Sequence, residues 1–260
     1  MRERQMPELL CPAGSFAALE AAIEGGADAV YMGGTLFNAR IHAKNFTPQE
    51  LERGIALTHS YGVKVYIAAN TLIYDREIED FLRAAEEAYL AGADALIVAD
   101  VGCAAAVHRR LPIELHARTQ LSGHNAEAAR RLAACGFSRM VCAREMSRED
   151  LAAFTAASPI EAEVFVHGAL CVCHSGQCLF SSLVGGRSGN RGECAQPCRL
   201  PYGLKNGKRG FPLSLRDLSL AEHLPELARM GVASLKIEGR MKSPEYVRDV
   251  AAVFRRLLDE

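Results

Sequence analysis

Short apolar segments alternate with helix-like segments along the whole chain, and glycine stands at many of the joints between them. Three joints share one form, in which a helix end is followed by glycine, two or three linking residues and an apolar strand: 25–33, 91–100 and 230–239. Glycine suits such joints because helices often end on a left-handed residue, which glycine adopts at little cost. This alternation predicts parallel strands joined by helices.

Eight such strand–helix units are predicted. The strands are expected at 8–11, 28–32, 64–69, 95–99, 113–117, 140–143, 161–166 and 233–237. The helices are expected at 16–24, 48–61, 77–90, 101–110, 126–134, 148–156 and 218–228, and from 244 onwards. Eight units in 260 residues match the size of a closed barrel. The predicted fold class is therefore α/β, a (β/α)8 TIM-type barrel, regular or distorted, formed by residues 1–260 as a single domain. An open doubly wound sheet is the alternative, although no GxGxxG follows the first strand.

Composition narrows the class of protein. Apolar residues make up 49% of the chain, which excludes disorder as its main state. No run of about 18 uncharged apolar residues occurs, and the N-terminal segment lacks the apolar core of a signal peptide. We therefore expect no membrane span and a cytoplasmic location with reduced thiols. The net charge of −1 creates no global field for nucleic acid, so RNA binding requires a local basic patch.

Five of the nine cysteines lie in a glycine-rich loop, about 167–202, inserted after the seventh predicted strand. Four of them follow the spacing C-x6-C-x15-C-x3-C: Cys171, Cys178, Cys194 and Cys198. Four thiolates suit an iron–sulfur cluster or a structural zinc ion, and free thiols are the third interpretation. Cys173 or Cys11 is an alternative ligand in place of one of the four. His174 lies near these thiols, where a supporting role is favoured over direct ligation.

Polar residues follow the predicted strands where the reactive face of a barrel lies. They are Asn38, Arg40, Asn70, Asp100, Thr119, Gln120, Arg144, Glu145, His167, Glu238 and Arg240. The predicted catalytic residues are Arg144, His167, Glu238 and Arg240. The predicted substrate-binding residues are Asn70, Thr119, Gln120 and Lys236. The cationic members suit the carboxylates of a small donor molecule, and salt bridges at the barrel rim are the alternative interpretation.

Several motifs resemble those of the collagenase-like peptidase family of unassigned catalytic type. They are ELLCPAGS (8–15), Asn45-Phe46, the set Glu163, Phe165, Gly168-Ala169-Leu170-Cys171, Gly176, Cys178 and Ser181, then SGNRGECAQPCR (188–199) and SLKIEGRMKSPEYV (234–247). The resemblance covers nearly the whole chain and implies a barrel-type core. Members were first described as proteases, whereas better-understood members resemble iron–sulfur hydroxylases. The resemblance implies hydroxylation of a tRNA uridine or an rRNA cytidine with prephenate as hydroxyl source, or oxygen-independent ubiquinone hydroxylation.

The resemblance also implies a ligand set. Relatives hold a [4Fe–4S] cluster on four cysteines of this loop, and the matching positions are Cys171, Cys178, Cys194 and Cys198. Arg118 departs from the family pattern, because relatives often carry a small residue there in a His-Ala-Ser-Thr-Gln run. The sequence also ends soon after the last predicted helix, where many relatives continue into further domains, so those domains are expected to be absent.

Three functions are compatible with these features. The favoured one is an iron–sulfur-dependent RNA hydroxylase, whose target base leaves its stack to reach the barrel. A basic stretch is then expected to contact phosphates, unless it is an ordinary solvated loop: Arg187, Arg191, Arg199, Lys205, Lys208 and Arg209. A small-molecule donor and a protein partner or electron donor are also expected.

The second function is a peptidase, although the sequence has neither HExxH nor GxSxG. A cysteine nucleophile with His167 or His174 as its base would need one free loop thiol. The third is a binding protein that a cluster or zinc stabilises and that performs no turnover.

Overall fold

The computed structural model describes residues 6–38, 44–203 and 207–260 of the chain. Within these ranges the strands are β1 (Glu8–Pro12), β2 (Ala29–Met32), β3 (Lys64–Ala69), β4 (Ala95–Val98), β5 (Glu114–Ala117), β6 (Phe137–Val141), β7 (Glu161–Ala169), β8 (Tyr202–Gly203), β9 (Arg209–Gly210), β10 (Asp217–Ser219) and β11 (Ser234–Ile237). Strands β1 to β7 and β11 run parallel and pair in that order, and β11 then pairs with β1. This pairing closes the sheet. The predicted (β/α)8 barrel is confirmed, and the open-sheet alternative is wrong.

Helices surround the closed sheet. They are α1 (Phe16–Glu24), α2 (Pro48–Ser60), α3 (Ile78–Leu90), α4 (Val101–His108), α5 (Ala126–Ala134), α6 (Arg148–Ala157), α7 (Phe180–Gly185), α8 (Leu224–Met230) and α9 (Pro244–Asp259). The side chains of Ser15, Thr47 and Ser147 accept hydrogen bonds from the first turns of α1, α2 and α6, as the sequence predicts. Helix α9 packs against α1. In the described part of the chain, no helix is both long and apolar enough to cross a bilayer.

One apolar layer lies inside the barrel wall, and another lies outside it against the helices. Because successive strand residues face opposite sides, Leu9 packs towards the helices whereas Leu10, Tyr31 and Tyr66 cluster inside the barrel. The outer layer also contains Phe254 of α9, which is 2% exposed. Burial of each such side chain stabilises the fold by about 1.5–3 kcal/mol. The wall is therefore rigid enough to position polar groups at the strand ends.

A buried ion-pair network crosses the barrel interior. Lys236 Nζ lies 2.7 Å from Glu163 Oε1. Arg139 Nη1 lies 2.7 Å from Glu8 Oε1 and 3.6 Å from Glu163 Oε2. Burial alone raises the pKa of Glu163, but the charges of Lys236 and Arg139 outweigh burial and lower it. The network thereby fixes the position of Lys236 at the end of β11.

The chain between β7 and α8 differs from the prediction. Strand β7 continues to Ala169, so His167 lies within the strand rather than after it. This extension pairs antiparallel with β10, where Leu218 lies opposite Gly168. The predicted helix 218–228 is therefore wrong at its start, because Leu218 belongs to β10 and the helix begins at Leu224. Gly168 has φ 108°, and a Cβ there would lie 2.6 Å from the Glu238 carbonyl oxygen.

Candidate active site and cysteine centre

A polar cavity opens at the carboxyl ends of the barrel strands. It brings together all eight residues predicted for catalysis and substrate binding: Asn70, Thr119, Gln120, Arg144, His167, Lys236, Glu238 and Arg240. Tyr31, Ile97 and Phe165 contribute apolar surface to the same cavity. The sequence therefore identified residues that are neighbours in space, while their individual catalytic and binding roles stay predictions.

Cationic side chains dominate the charge of this polar cavity. They are Arg118, Arg144, Lys236 and Arg240, with Glu238 as the carboxylate. Lys236 Nζ lies 4.4 Å from the ring centroid of Tyr31, and the Arg240 guanidinium carbon lies 5.8 Å from it. The face of an aromatic ring attracts a cation, so the Tyr31 ring helps to hold both charged groups in place. This arrangement suits a small anionic ligand.

Arg118 belongs to the cavity although the sequence singled it out only as a departure from the family pattern. Its Nη1 donates a hydrogen bond to the backbone carbonyl of Asn70. The contact joins the segments that follow β3 and β5. Arg118 thus adds a cation to the wall and also holds two rim segments together.

His167 lines the polar cavity and also contacts two aromatic rings of α9. Its ring centroid lies 6.0 Å from that of Tyr246 and 5.5 Å from that of Phe254, both on α9. Burial lowers the pKa of His167. Its backbone carbonyl accepts a hydrogen bond of 2.8 Å from the N–H of Glu238. His167 therefore packs its ring against α9 and positions Glu238 through its backbone, while its catalytic role stays a prediction.

Two further predicted rim residues serve local structure. Asp100 accepts a hydrogen bond from the Cys103 backbone N–H at 3.0 Å and caps α4. Asn38 donates to the Gly34 carbonyl at 3.1 Å. Arg40 lies outside the described residues.

A second cavity adjoins the first, and the four predicted ligand cysteines line it. These are Cys171, Cys178, Cys194 and Cys198. Gln120, Arg144 and Glu238 belong to the walls of both cavities. All nine cysteines are free thiols. The loop therefore places four thiols around one cavity beside the cationic cavity, while their role as metal ligands stays a prediction.

The spacing of the sulfur atoms bears on the kind of metal centre that the loop can hold. Four sulfurs around one zinc ion, each at about 2.3 Å, lie about 3.8 Å apart. Throughout 6–38, 44–203 and 207–260, no three cysteine sulfurs lie within 4.8 Å of one another. A cubane takes each thiolate on a different iron atom and so needs more widely separated sulfurs. Four thiolates around one cavity are a donor set that an iron–sulfur cluster accepts, and the choice of the cluster over zinc stays a prediction.

The two substitute ligands have different positions. Burial and the neighbouring thiols of Cys178 and Cys171 raise the pKa of Cys173, so Cys173 lies beside two of the proposed ligands and stays an alternative to them. Cys11 is fully buried among the residues between the barrel and the helices. Its packing there removes Cys11 as an alternative ligand. Cys11 instead packs as a small apolar residue, as buried free cysteines ordinarily do.

Ser175 anchors the cysteine loop on the barrel rim. Its backbone N–H donates to Glu145 Oε1 and its hydroxyl donates to Glu145 Oε2, both at 2.9 Å. Its Oγ accepts hydrogen bonds from Arg144 Nε and Thr119 Oγ1, each at 3.3 Å. Burial raises the pKa of Glu145, but the hydrogen bonds from Ser175 and His174 outweigh it and lower the value to about 2. A serine among cysteines gave no sequence signal for this role.

Two arginines of the basic stretch make contacts that hold the loop. Arg191 Nη2 lies 2.7 Å from Glu77 Oε1, and its guanidinium carbon lies 4.4 Å from the Tyr74 ring centroid. Arg199 donates to the Leu170 carbonyl at 2.8 Å. These contacts give the two arginines a role in loop packing, while their phosphate contact stays a prediction. Arg209 is exposed on β9, and Lys205 lies outside the described residues.

Comparison with known proteins identifies the family. The family model described as Peptidase family U32 matches residues 14–260. The chain belongs to this family. It is 42% identical over 259 residues to the 23S rRNA 5-hydroxycytidine C2501 synthase of Escherichia coli, covering 97% of this chain and 39% of that protein. It is 38% identical over 269 residues to tRNA hydroxylation protein P1 of Bacillus subtilis, covering 97% and 63%.

A solved structure of the U32 family has the same fold. The U32 peptidase Mk0906 superimposes with a TM-score of 0.60 at 13% identity, covering 92% of this chain and 95% of that one. At this identity the likeness concerns the fold alone. The chain spans between two fifths and two thirds of the length of the two curated U32 relatives named above.

Proposed function

We propose that this chain forms the catalytic barrel of an iron–sulfur-dependent RNA hydroxylase that acts on a pyrimidine base of tRNA or rRNA. The observation that carries the proposal is the shared wall between the cationic cavity and the four-cysteine cavity. A redox centre needs such proximity to act on a substrate bound at the barrel mouth. The names of the two curated U32 relatives point to the same class of reaction.

Cys171, Cys178, Cys194 and Cys198 would hold a [4Fe–4S] cluster in this proposal. When bound, the cluster supplies one-electron redox chemistry beside the substrate. The protein part of the cavity binds and orients the reactants. Arg144 is central to both tasks because it lines both cavities, and its Nε donates to Ser175 Oγ of the cysteine loop.

The hydroxyl donor is proposed to be a small molecule with carboxylate groups, such as prephenate. Arg144, Lys236 and Arg240 would each pair with a carboxylate, and charge-assisted hydrogen bonds of this kind are roughly twice as strong as neutral ones. Lys236 is held by Glu163 at 2.7 Å, so its position does not change when the ligand leaves. Glu238 would accept a hydrogen bond from a donor hydroxyl or from the target base.

The RNA would present an unstacked base to the barrel mouth. A base that is altered chemically at its ring must leave the helical stack, which costs a few kcal/mol. Exposed cations of the basic stretch, such as Arg209 on β9, would contact the phosphates. Electrons for the centre would come from a protein partner or a small electron donor.

The geometry favours peptidase chemistry less. A cysteine nucleophile needs a histidine base within hydrogen-bonding distance. His174 Nδ1 instead lies 3.1 Å from Glu145, and the His167 ring packs against Tyr246 and Phe254 of α9. Among the residues that the structure describes, no hydrogen bond joins either imidazole to a loop thiol.

Nucleoside analysis tests the proposal in the source organism. Deletion of the gene is expected to remove one hydroxylated pyrimidine from digests of total tRNA or rRNA, and the wild-type gene should restore it. Arg144→Ala should not restore it, whereas Arg83→Ala, which changes an exposed arginine on α3 paired with Asp80, should. An unchanged nucleoside profile after deletion would contradict the proposed reaction.

A further inference from the structure

We propose that His124, Glu145 and His174 form a binding site for one divalent transition-metal ion at the outer edge of the cysteine loop. The site uses none of the four cysteines proposed as cluster ligands, although His174 also lines their cavity. In the described residues, each of these three side chains offers one ligand atom, and the three atoms lie within 4.8 Å of one another.

The distances fit ligands that share an ion. Glu145 Oε1 lies 3.1 Å from His124 Nε2 and 3.1 Å from His174 Nδ1. Two atoms bound to one zinc ion at about 2.0–2.2 Å, with an angle between 90° and 110°, lie about 3.0–3.5 Å apart. The carboxylate oxygen therefore stands at the ligand-to-ligand distance from both imidazoles.

The hydrogen bonds around His124 define which nitrogen faces the carboxylate. His124 Nδ1 lies 2.6 Å from the Ser122 carbonyl oxygen, which is only an acceptor, so Nδ1 carries the hydrogen. In neutral His124 the lone pair is then on Nε2 and faces the ionised Glu145 at 3.1 Å. Two lone pairs at this distance repel unless a cation lies between them. A bound metal ion removes the repulsion, and a protonated His124 is the alternative.

The surroundings resemble those of known metal sites in their hydrogen bonding. Metal-binding histidines usually donate their other N–H to a carbonyl or carboxylate, as His124 does to Ser122. Metal-binding carboxylates are themselves hydrogen-bonded, as Glu145 is to the backbone and hydroxyl of Ser175. These contacts hold two of the three ligands in place before the ion arrives.

The donor set indicates the class of ion. Two imidazoles and one carboxylate suit zinc, nickel or ferrous iron rather than calcium or magnesium, which prefer oxygen ligands. The His174 side chain is 75% exposed and the Glu145 side chain 22%. Three protein ligands leave room for water at the remaining positions, and the exposure of His174 allows an ion to enter from solvent.

The ion would connect three segments of the chain. His124 precedes α5, Glu145 precedes α6, and His174 follows Cys173 in the cysteine loop. Metal binding would therefore fix the part of the loop that carries Cys171 and Cys178 to the rim of the barrel. The predicted role is to hold this loop against the barrel independently of the cluster.

Nickel is a suitable probe because imidazole nitrogen binds it well. Anaerobically purified protein, treated with chelator and desalted, would be dialysed against increasing Ni²⁺, with bound nickel measured by elemental analysis. His174→Gln keeps an N–H that can donate to Glu145 but is a poor ligand, so it separates metal binding from a simple hydrogen bond. His223→Gln is the matched control, since His223 forms an exposed pair with Glu226 at 3.6 Å.

The wild type and His223→Gln are expected to bind one nickel ion more than His174→Gln and His124→Gln. The two ligand variants should lose at least about tenfold in affinity. Zn²⁺ should displace the nickel, and nickel should raise the unfolding temperature of the wild type but not of His174→Gln. Equal nickel binding by all four proteins, or thiolate-to-nickel charge-transfer absorption for the bound ion, would overturn the proposal.

Discussion

Ser175 donates both its backbone N–H and its hydroxyl to the carboxylate of Glu145, at 2.9 Å in each case. Ser175 is fully buried. The pair joins the cysteine loop to the segment after β6, where Arg144 lines both cavities. The contact between Ser175 and Glu145 therefore helps to hold the thiols beside the cationic cavity.

Ser175→Ala should destabilise the protein by about 1–3 kcal/mol. The variant removes one donor to an ionised carboxylate and the acceptor that Arg144 and Thr119 use, and buried partners left unsatisfied cost this much. Chemical denaturation measures the change in the free energy of unfolding. Ser60→Ala is the control, because Ser60 makes one exposed hydrogen bond to the Leu57 carbonyl and should cost less than about 1 kcal/mol. Equal losses for the two variants would argue against the anchoring role.

Gly176→Ala should displace the cysteine loop, whereas Gly186→Ala should not. Both glycines have positive φ, 79° and 67°, so both variants carry about 1–2 kcal/mol of backbone strain. A Cβ at 176 would lie 2.1 Å from the Gln120 carbonyl oxygen, but a Cβ at 186 meets nothing within 4 Å. We expect bound iron to fall in the first variant and to stay at the wild-type amount in the second. Similar iron contents would show that the loop tolerates movement at Gly176.

Glu163→Gln should destabilise the barrel by about 3–5 kcal/mol, because it leaves Lys236 and Arg139 buried without their shared carboxylate. A double variant with Lys236→Met should regain part of this loss. The folded-state pKa of Glu163 is lowered from 4.5, so its charge stabilises the fold above about pH 4.5 and this contribution is lost as the pH falls further. Unfolding curves between neutral and acidic pH should therefore be less pH-dependent in Glu163→Gln. An unchanged pH dependence would contradict the assignment.

Arg209→Ala should weaken RNA binding similarly for all sequences and reduce the salt dependence of binding by about one phosphate contact. Arg191→Ala should act differently, because Arg191 is paired with Glu77 and packs on Tyr74. It is expected to lower stability while the salt dependence of RNA binding stays unchanged. Filter binding of tRNA at several salt concentrations measures both, with Arg83→Ala on α3 as the control. If the salt dependence of RNA binding fell more in Arg191→Ala than in Arg209→Ala, Arg191 rather than Arg209 would be the residue that contacts phosphate.

The sequence predicted the barrel well because its signals are local. Caps such as Ser15 and Thr47, and glycines at helix ends, determine where elements begin and stop whatever lies elsewhere in the chain. Residues that follow strand ends were also predictable, since parallel strands in a closed barrel bring their carboxyl ends to one face. Asn70 and Glu238 reach the same cavity for this reason.

Features that depend on pairing across long sequence separations were not predictable. Leu218 has a helix-like neighbourhood, but its pairing with Gly168 makes it a strand residue. His167 was expected just after β7 because β7 was predicted to end at 166, whereas the longer strand includes it and its ring contacts Phe254 of α9. Ser175 gave no signal, because its partners on the rim lie about 30 residues or more away in sequence. Tertiary contacts decided each of these positions.

The central claim is that four cysteines of the loop hold one iron–sulfur cluster beside the cationic cavity. Iron, zinc and sulfide analysis of anaerobically purified protein tests it most directly, together with Cys178→Ser and the control Cys135→Ser, a free thiol at the end of α5. We predict about four irons per chain in the wild type and in Cys135→Ser, with a large loss in Cys178→Ser. One zinc ion per chain and no iron in the wild type, or full iron retention in Cys178→Ser, would contradict the claim.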